Sequence, residues 1–319
     1  MDRRQFLKVT GASAATLAVT GMNPLAALAA REQTSGGQAA AQASAKQAAQ
    51  QGPLAFVVTR GGKPEKNYAA ALKALGGISK FVTRGDVVVV KPNIGWDRTP
   101  AQAATTDPTL VGAVVKSCYD GGAKKVKVFD YPCNDPRRTY VRSGIAEAAK
   151  AAGAEVSFID DRKFRRVDMK GTVLKTWPVY AEALDCDRLI NVPIAKHHGS
   201  ARLTMCLKNW MGVIGDPRGR LHQDFDHSLA DLGRFFRPSL SVLDATRILT
   251  AYGPQGGDTK DVRTLNTLVV GTDEVAIDSY GATFFGMKGA QLGYLVQAAR
   301  LGVGQVDLTK VRHSVIDVA

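Results

Sequence analysis

The chain has 319 residues, with 42 Lys and Arg against 29 Asp and Glu, a formal net charge of +13 at pH 7. Hydrophobic residues at 45% and charged residues at 22% exclude wholesale disorder, a collagen-like repeat and a polytopic membrane protein. Four cysteines are too few for a disulfide scaffold, and none forms a C-x-x-C pair, so the chain has no ferredoxin-type iron–sulfur motif and no zinc ribbon.

Asp2-Arg3-Arg4-Gln5-Phe6-Leu7-Lys8 and the mildly apolar Ala, Gly and Thr stretch after it read as a twin-arginine (Tat) signal peptide over residues 1–29. Ala27-Leu28-Ala29 offers small residues to a signal peptidase, which places cleavage before Ala30. The stretch is too weakly hydrophobic to remain as an anchor, so the mature protein is expected in the periplasm with no transmembrane segment. The expected partners are then the twin-arginine translocase and signal peptidase. Export also argues against nucleic acid as the acidic partner and for an anionic small molecule or cofactor. Residues 30–53 are mostly Ala, Gln, Ser and Gly, with almost no large apolar side chain, and read as a flexible linker.

From Leu54 the chain alternates β-branched runs with helical patterns. Strands are predicted at Leu54–Thr59, Asp86–Lys91, Lys125–Asp130, Glu155–Asp160, Arg188–Pro193, Ser239–Asp244 and Leu265–Val270. Helices are predicted at Glu65–Leu75, Asp107–Tyr119 (with Thr106 as cap), Thr139–Ala152, Ser228–Phe236, Glu274–Phe285 and Gln291–Leu301. This alternation implies a single α/β domain over 54–319, a mostly parallel sheet with helices on both faces in a Rossmann-like three-layer architecture. No G-x-G-x-x-G follows the first strand, and Gly61-Gly62-Lys63 lacks phosphate-loop spacing, so the dinucleotide fingerprint is missing. No G-x-S-x-G elbow is present either.

Ligands of such sheets bind beyond the carboxyl ends of the strands. There the chain places Lys91-Pro92-Asn93, Asp130, Asp160, Lys196-His197-His198, Asp244 and Asp273. Asp and Asn also form turns without any further role, whereas lysines do not, so Lys91 and Lys196 carry more weight. Lys208-Asn209 lies within the apolar run Leu203–Gly212, where a lysine must be paired, face a cleft, or snorkel from a surface helix. The candidate ligand contacts are Lys91, Asn93, Thr106, His197 and Asn209, and the candidate catalytic groups are Lys196, His198 and Lys208.

Four of the five histidines fall between residues 197 and 227. In an extended segment His222, Asp224 and Asp226 would share a face, which makes His198, His222, Asp224 and His227 candidate ligands for a transition metal. The competing reading has Asp226 capping the following helix, His227 in its first turn and His222 solvated. The basic run Asp161-Arg162-Lys163-Phe164-Arg165-Arg166 reads as a solvated hairpin or loop, with an anionic surface as the alternative partner. Cys118, Cys133, Cys186 and Cys206 read as core or incidental residues.

Val89-Val90-Lys91-Pro92-Asn93, Thr106-Asp107-Pro108, Pro193-Ile194-Ala195-Lys196-His197-His198 and Thr204-x3-Lys208-Asn209-x2-Gly212 together resemble the domain of unknown function 362 family. The likeness covers most of Leu54 to about Leu301. It implies that these positions form the site, without naming a reaction; the ferredoxin-like cysteine motif of many members is missing here. A fainter similarity is to the lactate racemase superfamily, which also places Lys and His at a cofactor cleft. The leading expectation is an exported protein with a polar Lys/Asn/His cleft for an anionic ligand or cofactor, with metal-dependent catalysis as one form of it. The alternatives are a non-catalytic periplasmic binding or cofactor-handling protein, linked to redox or iron–sulfur systems, and an anionic-surface binding module. Residues 60–175 hold 22 basic and 12 acidic residues, while 238–319 hold 7 and 8, so the positive excess accompanies the strand that ends at Lys91.

Overall fold

The computed structural model describes residues 53–319; the signal-peptide reading, and the linker reading apart from Pro53, lie outside the described residues. In chain order the elements are β1 (Phe56–Arg60), α1 (Pro64–Ala74), β2 (Val87–Pro92), α2 (Pro108–Asp120), β3 (Lys125–Val128), α3 (Pro136–Arg142), α4 (Ile145–Ala151) and β4 (Glu155–Val156). A separate hairpin of β5 (Phe164–Asp168) and β6 (Thr176–Tyr180) follows, then α5 (Ala181–Asp185), β7 (Arg188–Val192), β8 (Ile194–His198), β9 (Arg202–Thr204) and α6 (Cys206–Asn209). The chain continues through α7 (Phe225–Phe235), β10 (Leu240–Leu249), β11 (Val262–Gly271), α8 (Glu274–Thr283), α9 (Gly293–Arg300) and β12 (His313–Asp317).

The main sheet has the order β12-β1-β11-β10-β7-β2-β3-β4, with β8 pairing both β10 and β9. Strands β10, β7, β2, β3 and β4 are parallel, and β11 runs antiparallel to β1 and β10. The protein is thus an α/β fold with a mostly parallel sheet. The apolar run in β2 shows why both faces are covered. Val88 and Val90 pack with Leu110, Val114 and Val115 of α2, whereas Val89 faces the cluster that contains Leu229 of α7 and Ile277 of α8. Successive strand residues point to opposite faces, so an unbroken apolar strand requires helices on both. Each buried valine contributes about 2 kcal/mol relative to exposure.

Several boundaries differ from expectation for local reasons. The helix expected over Thr139–Ala152 is two helices, because Gly144 takes φ 72° between them. Asp107, not Thr106, caps α2, its Oδ1 accepting from Thr109 N at 2.8 Å. The strand expected over Glu155–Asp160 pairs only at Glu155–Val156, on the sheet edge. Strand β10 continues past Asp244 because β8 and β11 pair with its second half. The basic run after Asp160 forms a turn and the hairpin strand β5. Arg162 meets Asp160 at 2.9 Å, Lys163 meets Glu182 at 2.7 Å, and Arg165 meets Asp185 at 2.5 Å, so most of its charge is locally balanced. Among the described residues no helix is long and apolar enough to cross a membrane.

Candidate functional site

Lys91, the penultimate residue of strand β2, is 1% exposed. A buried ammonium needs a counter-charge or several acceptors. Lys91 Nζ has both: Asp130 Oδ1, just beyond β3, lies 2.7 Å away, and Asn209 Oδ1 and Pro92 O each accept at 2.9 Å. Burial lowers the Lys91 pKa, and Asp130 opposes that shift. The other Asp130 oxygen accepts from Ile94 N at 2.6 Å, which ties the loop after β2 to the end of β3. Close packing requires glycine at 212: a methyl there would sit 1.8 Å from Asp130 Oδ1 and 2.6 Å from Lys91 Nζ.

From Asn209 a chain of hydrogen bonds runs in two directions. Toward the core, Asn209 Nδ2 donates to Asn191 Oδ1 at 2.8 Å, and Asn191 Nδ2 donates to Glu274 Oε1 at 2.6 Å. Glu274 also accepts from Ser241 Oγ and Trp210 Nε1, and burial raises its pKa against these bonds. Toward the cleft, Asn93 Nδ2 donates to Asn209 Oδ1 at 3.0 Å, and Asn93 Oδ1 accepts from Lys196 Nζ at 3.1 Å. Every amide orientation in this chain is set by its neighbours, so the lysines are held by a network anchored in the core.

Lys196 lies on β8, and its Nζ also donates to Ala104 O at 2.5 Å. It has no carboxylate partner among the described residues. Burial first, then the charge of Lys208, lowers its pKa to about 7. Lys208, on α6, is partly buried with Nζ 3.5 Å from Met211 Sδ and 5.5 Å from the centre of the Phe225 ring. It too lacks a carboxylate among the described residues, and burial lowers its pKa to about 8. His198 Nδ1 accepts from Ser200 N and Ala201 N at 3.2 and 3.1 Å, so the neutral ring carries its proton on Nε2. Burial, then Lys208 and Lys196, push its pKa down to about 3, which keeps it neutral at pH 7.

These groups line one cavity of about 450 Å³, in which Lys91, Asn93, Lys196, His198, Lys208 and Asn209 meet. Trp96, Tyr131 and Met211 supply apolar wall, and Arg218 contributes a further cation that stacks 3.9 Å over the Tyr131 ring. Thr106 is outside the lining: its hydroxyl donates to Val192 O at 2.7 Å and accepts from Asn93 N at 2.9 Å, so it positions Asn93 instead of touching a ligand. His197 also lies outside, with Nδ1 accepting from Gly253 N at 3.1 Å.

The four candidate metal ligands are not gathered. His198 and His222 both border the cavity, with the Phe225 ring packed against each. Asp224 caps α7, where Asp226 was the expected cap, and pairs with His227 at 3.0 Å. The extended geometry that would align 222, 224 and 226 does not form, because 218–223 is a 3-10 helix followed directly by α7. No group of three or more His, Cys, Asp or Glu side chains among the described residues is placed to hold a metal ion. Asp160 and Asp273 are local caps, while buried Asp244 accepts from Asp107 N at 2.7 Å.

Cys133 departs from its expected role: it is exposed and borders the cavity, whereas Cys118 and Cys206 are buried. Asn191 and Glu274 were missed as well. Asn191 interrupts the apolar β7, an anomaly visible in the sequence. Glu274 resembles an ordinary first-turn acid of α8, and nothing local distinguishes it.

A family model, the domain of unknown function (DUF362), matches residues 88–283, a stretch that contains every member of the network just described. A thylakoid-associated protein of Synechocystis sp. is 25% identical over 240 residues, 73% of each chain. The lactate racemase apoprotein from Thermoanaerobacterium thermosaccharolyticum superposes with a TM-score of 0.42 and 11% identity over 73% of this chain, which spans 57% of that protein's length.

Proposed function

We propose, for a chain that belongs to the domain of unknown function (DUF362) family, that the cleft binds a small organic anion and that Lys196 transfers a proton on it. The observation that carries this reading is the unequal treatment of three lysines in one cavity. Lys91 is neutralised by Asp130, and Asp216, also in the lining, pairs with Arg218 at 3.5 Å, whereas Lys196 and Lys208 face the same space with no carboxylate partner among the described residues. An anionic ligand would supply the missing charge through charge-assisted hydrogen bonds. The volume falls within the range of roughly 300–1,000 Å³ usual for small-molecule sites. Asn93 and Asn209 orient Lys196, and a pKa of about 7 suits it to either accept or donate a proton near neutrality. Neutral His198 is a second candidate acid–base group. The Arg3-Arg4 leader supports a periplasmic setting reached through the twin-arginine translocase.

Calorimetric titration of the full chain with short mono- and dicarboxylates and phosphate monoesters tests the binding step. Lys208→Met should weaken the best ligand at least tenfold, and unchanged affinity would sink the assignment. Proton transfer is read separately, as deuterium entering that ligand from D₂O by NMR. Lys196→Met should stop the exchange; persistence of exchange would remove Lys196 from the reaction.

A further inference from the structure

Strands β8 and β9 are joined by Gly199-Ser200-Ala201, and His198 faces Arg202 across the hairpin. After such a short loop the chain enters the left-handed region, where glycine is the usual residue. Arg202 occupies that position with φ 62°, a conformation that disfavours a long side chain. Its guanidinium is exposed and is pinned by one bond, Nη1 donating to Gln291 O at 2.9 Å. Arg263 is held in the same manner, with Nη2 donating to Phe284 O. A guanidinium has five N–H donors, so most remain available on both.

Both arginines border a second cavity, of about 580 Å³. Neither has a carboxylate partner among the described residues, and no acidic side chain lines the space. Phe284, Phe285 and Met287, partly buried beyond α8, and buried Leu203 from β9 supply apolar wall, and Thr250 lies beside them. His197 also faces this space, and His198 borders both cavities.

We propose that this second cavity is a binding site for an amphipathic organic anion, one acidic group on an aromatic or aliphatic body. The arginines take the acidic group and the phenylalanines and methionine take the body. The site stands on its own residues and does not depend on the reading of the lysine cleft. Its contact with that cleft is the His198 ring.

The test uses 8-anilinonaphthalene-1-sulfonate, a fluorescent aromatic anion, against its uncharged counterpart N-phenyl-1-naphthylamine, on the full chain. The expected result is a saturable single site for the sulfonate, at least tenfold tighter than for the neutral probe. Arg202→Gly suits the left-handed backbone, so it should fold at least as stably as the parent while weakening the sulfonate several-fold. Adding Arg263→Gln should weaken it at least tenfold, whereas Lys208→Met in the lysine cleft should leave it within twofold. Equal affinity for the two probes, an Arg202→Gly/Arg263→Gln variant that binds as the parent does, or loss of binding in Lys208→Met would each overturn the proposal. A thermal melt of every variant confirms that the comparison is between folded proteins.

Discussion

Lys91 and Lys196 are buried to the same degree, but one has a carboxylate and the other only amide and carbonyl oxygens. That difference has a thermodynamic signature. Lys196 titrates at about 7 in the fold and near its ordinary 10.5 when unfolded. Between those values the unfolded chain binds more protons, so this residue makes stability rise with pH, by at most about 1.4 kcal/mol per pH unit. Below pH 7 the cost of the buried charge is present in full. Lys196→Met should therefore be the more stable protein at pH 7, with the advantage shrinking toward pH 10. Urea unfolding of both proteins at several pH values measures it, and a constant difference would mean that Lys196 is not desolvated. The lysines themselves were conspicuous in the sequence because they stand at strand ends and, unlike Asp and Asn, are not turn formers. Their unequal pairing was not, since Asp130 follows a different strand, β3.

Among the elements, two glycines, one between helices and one in a 3-10 turn, do different work. Gly144 takes a positive φ between α3 and α4, where an added methyl would meet Pro108 side-chain carbons at 3.4 Å or more. Gly144→Ala should cost about 1–2 kcal/mol from backbone strain and leave anion binding in the cleft unchanged. Gly212 follows α6, and there the obstacle is the Lys91–Asp130 pair itself. Gly212→Ala should displace that pair and weaken cleft binding at least tenfold, even where the fold survives. Parallel unfolding and ligand titrations separate the two outcomes; a Gly212→Ala protein that binds normally would show that the pair can move aside. The sequence revealed helix and strand alternation well because each element's apolar spacing is local. It concealed the break at Gly144, since the apolar pattern continues across it.

The molecule as a whole carries a positive excess that its local pairings only partly offset. The basic run Arg162–Arg166 is largely matched by Asp160, Glu182 and Asp185, so charge count alone overstates it as a binding surface. In the lysine cleft the cations Lys196 and Lys208 are unmatched among the described residues, and the exposed Cys133 thiol borders the same cavity. A field of this sign should concentrate anions at that thiol. Alkylation of Cys133 by iodoacetate, relative to neutral iodoacetamide, should be faster than the same ratio for a free thiol. The preference should fade as salt rises, because screening shortens the reach of the field. Peptide mapping by mass spectrometry identifies the labelled cysteine; an iodoacetate preference no larger than that of the free thiol would contradict a net positive cleft.

Sequence alone determined the α/β class, the order of most strands and helices, and the residues Lys91, Asn93, Lys196, His198, Lys208 and Asn209 that meet in one cavity. It could do so because apolar periodicity and strand-end chemistry are read within a few residues of each position. Tertiary structure decided the partners. Asn209 reaches Lys91 across 118 positions and Asn191 reaches Glu274 across 83, through a strand order in which β7 lies between β10 and β2. It also separated Thr106, His197, Asp224 and His227 from the cleft and brought in Cys133. Arg202 and Arg263 likewise share a wall only in the folded chain. Spacing along a chain sets which way a side chain points, but which charges, amides and rings it meets depends on contacts that no local pattern encodes.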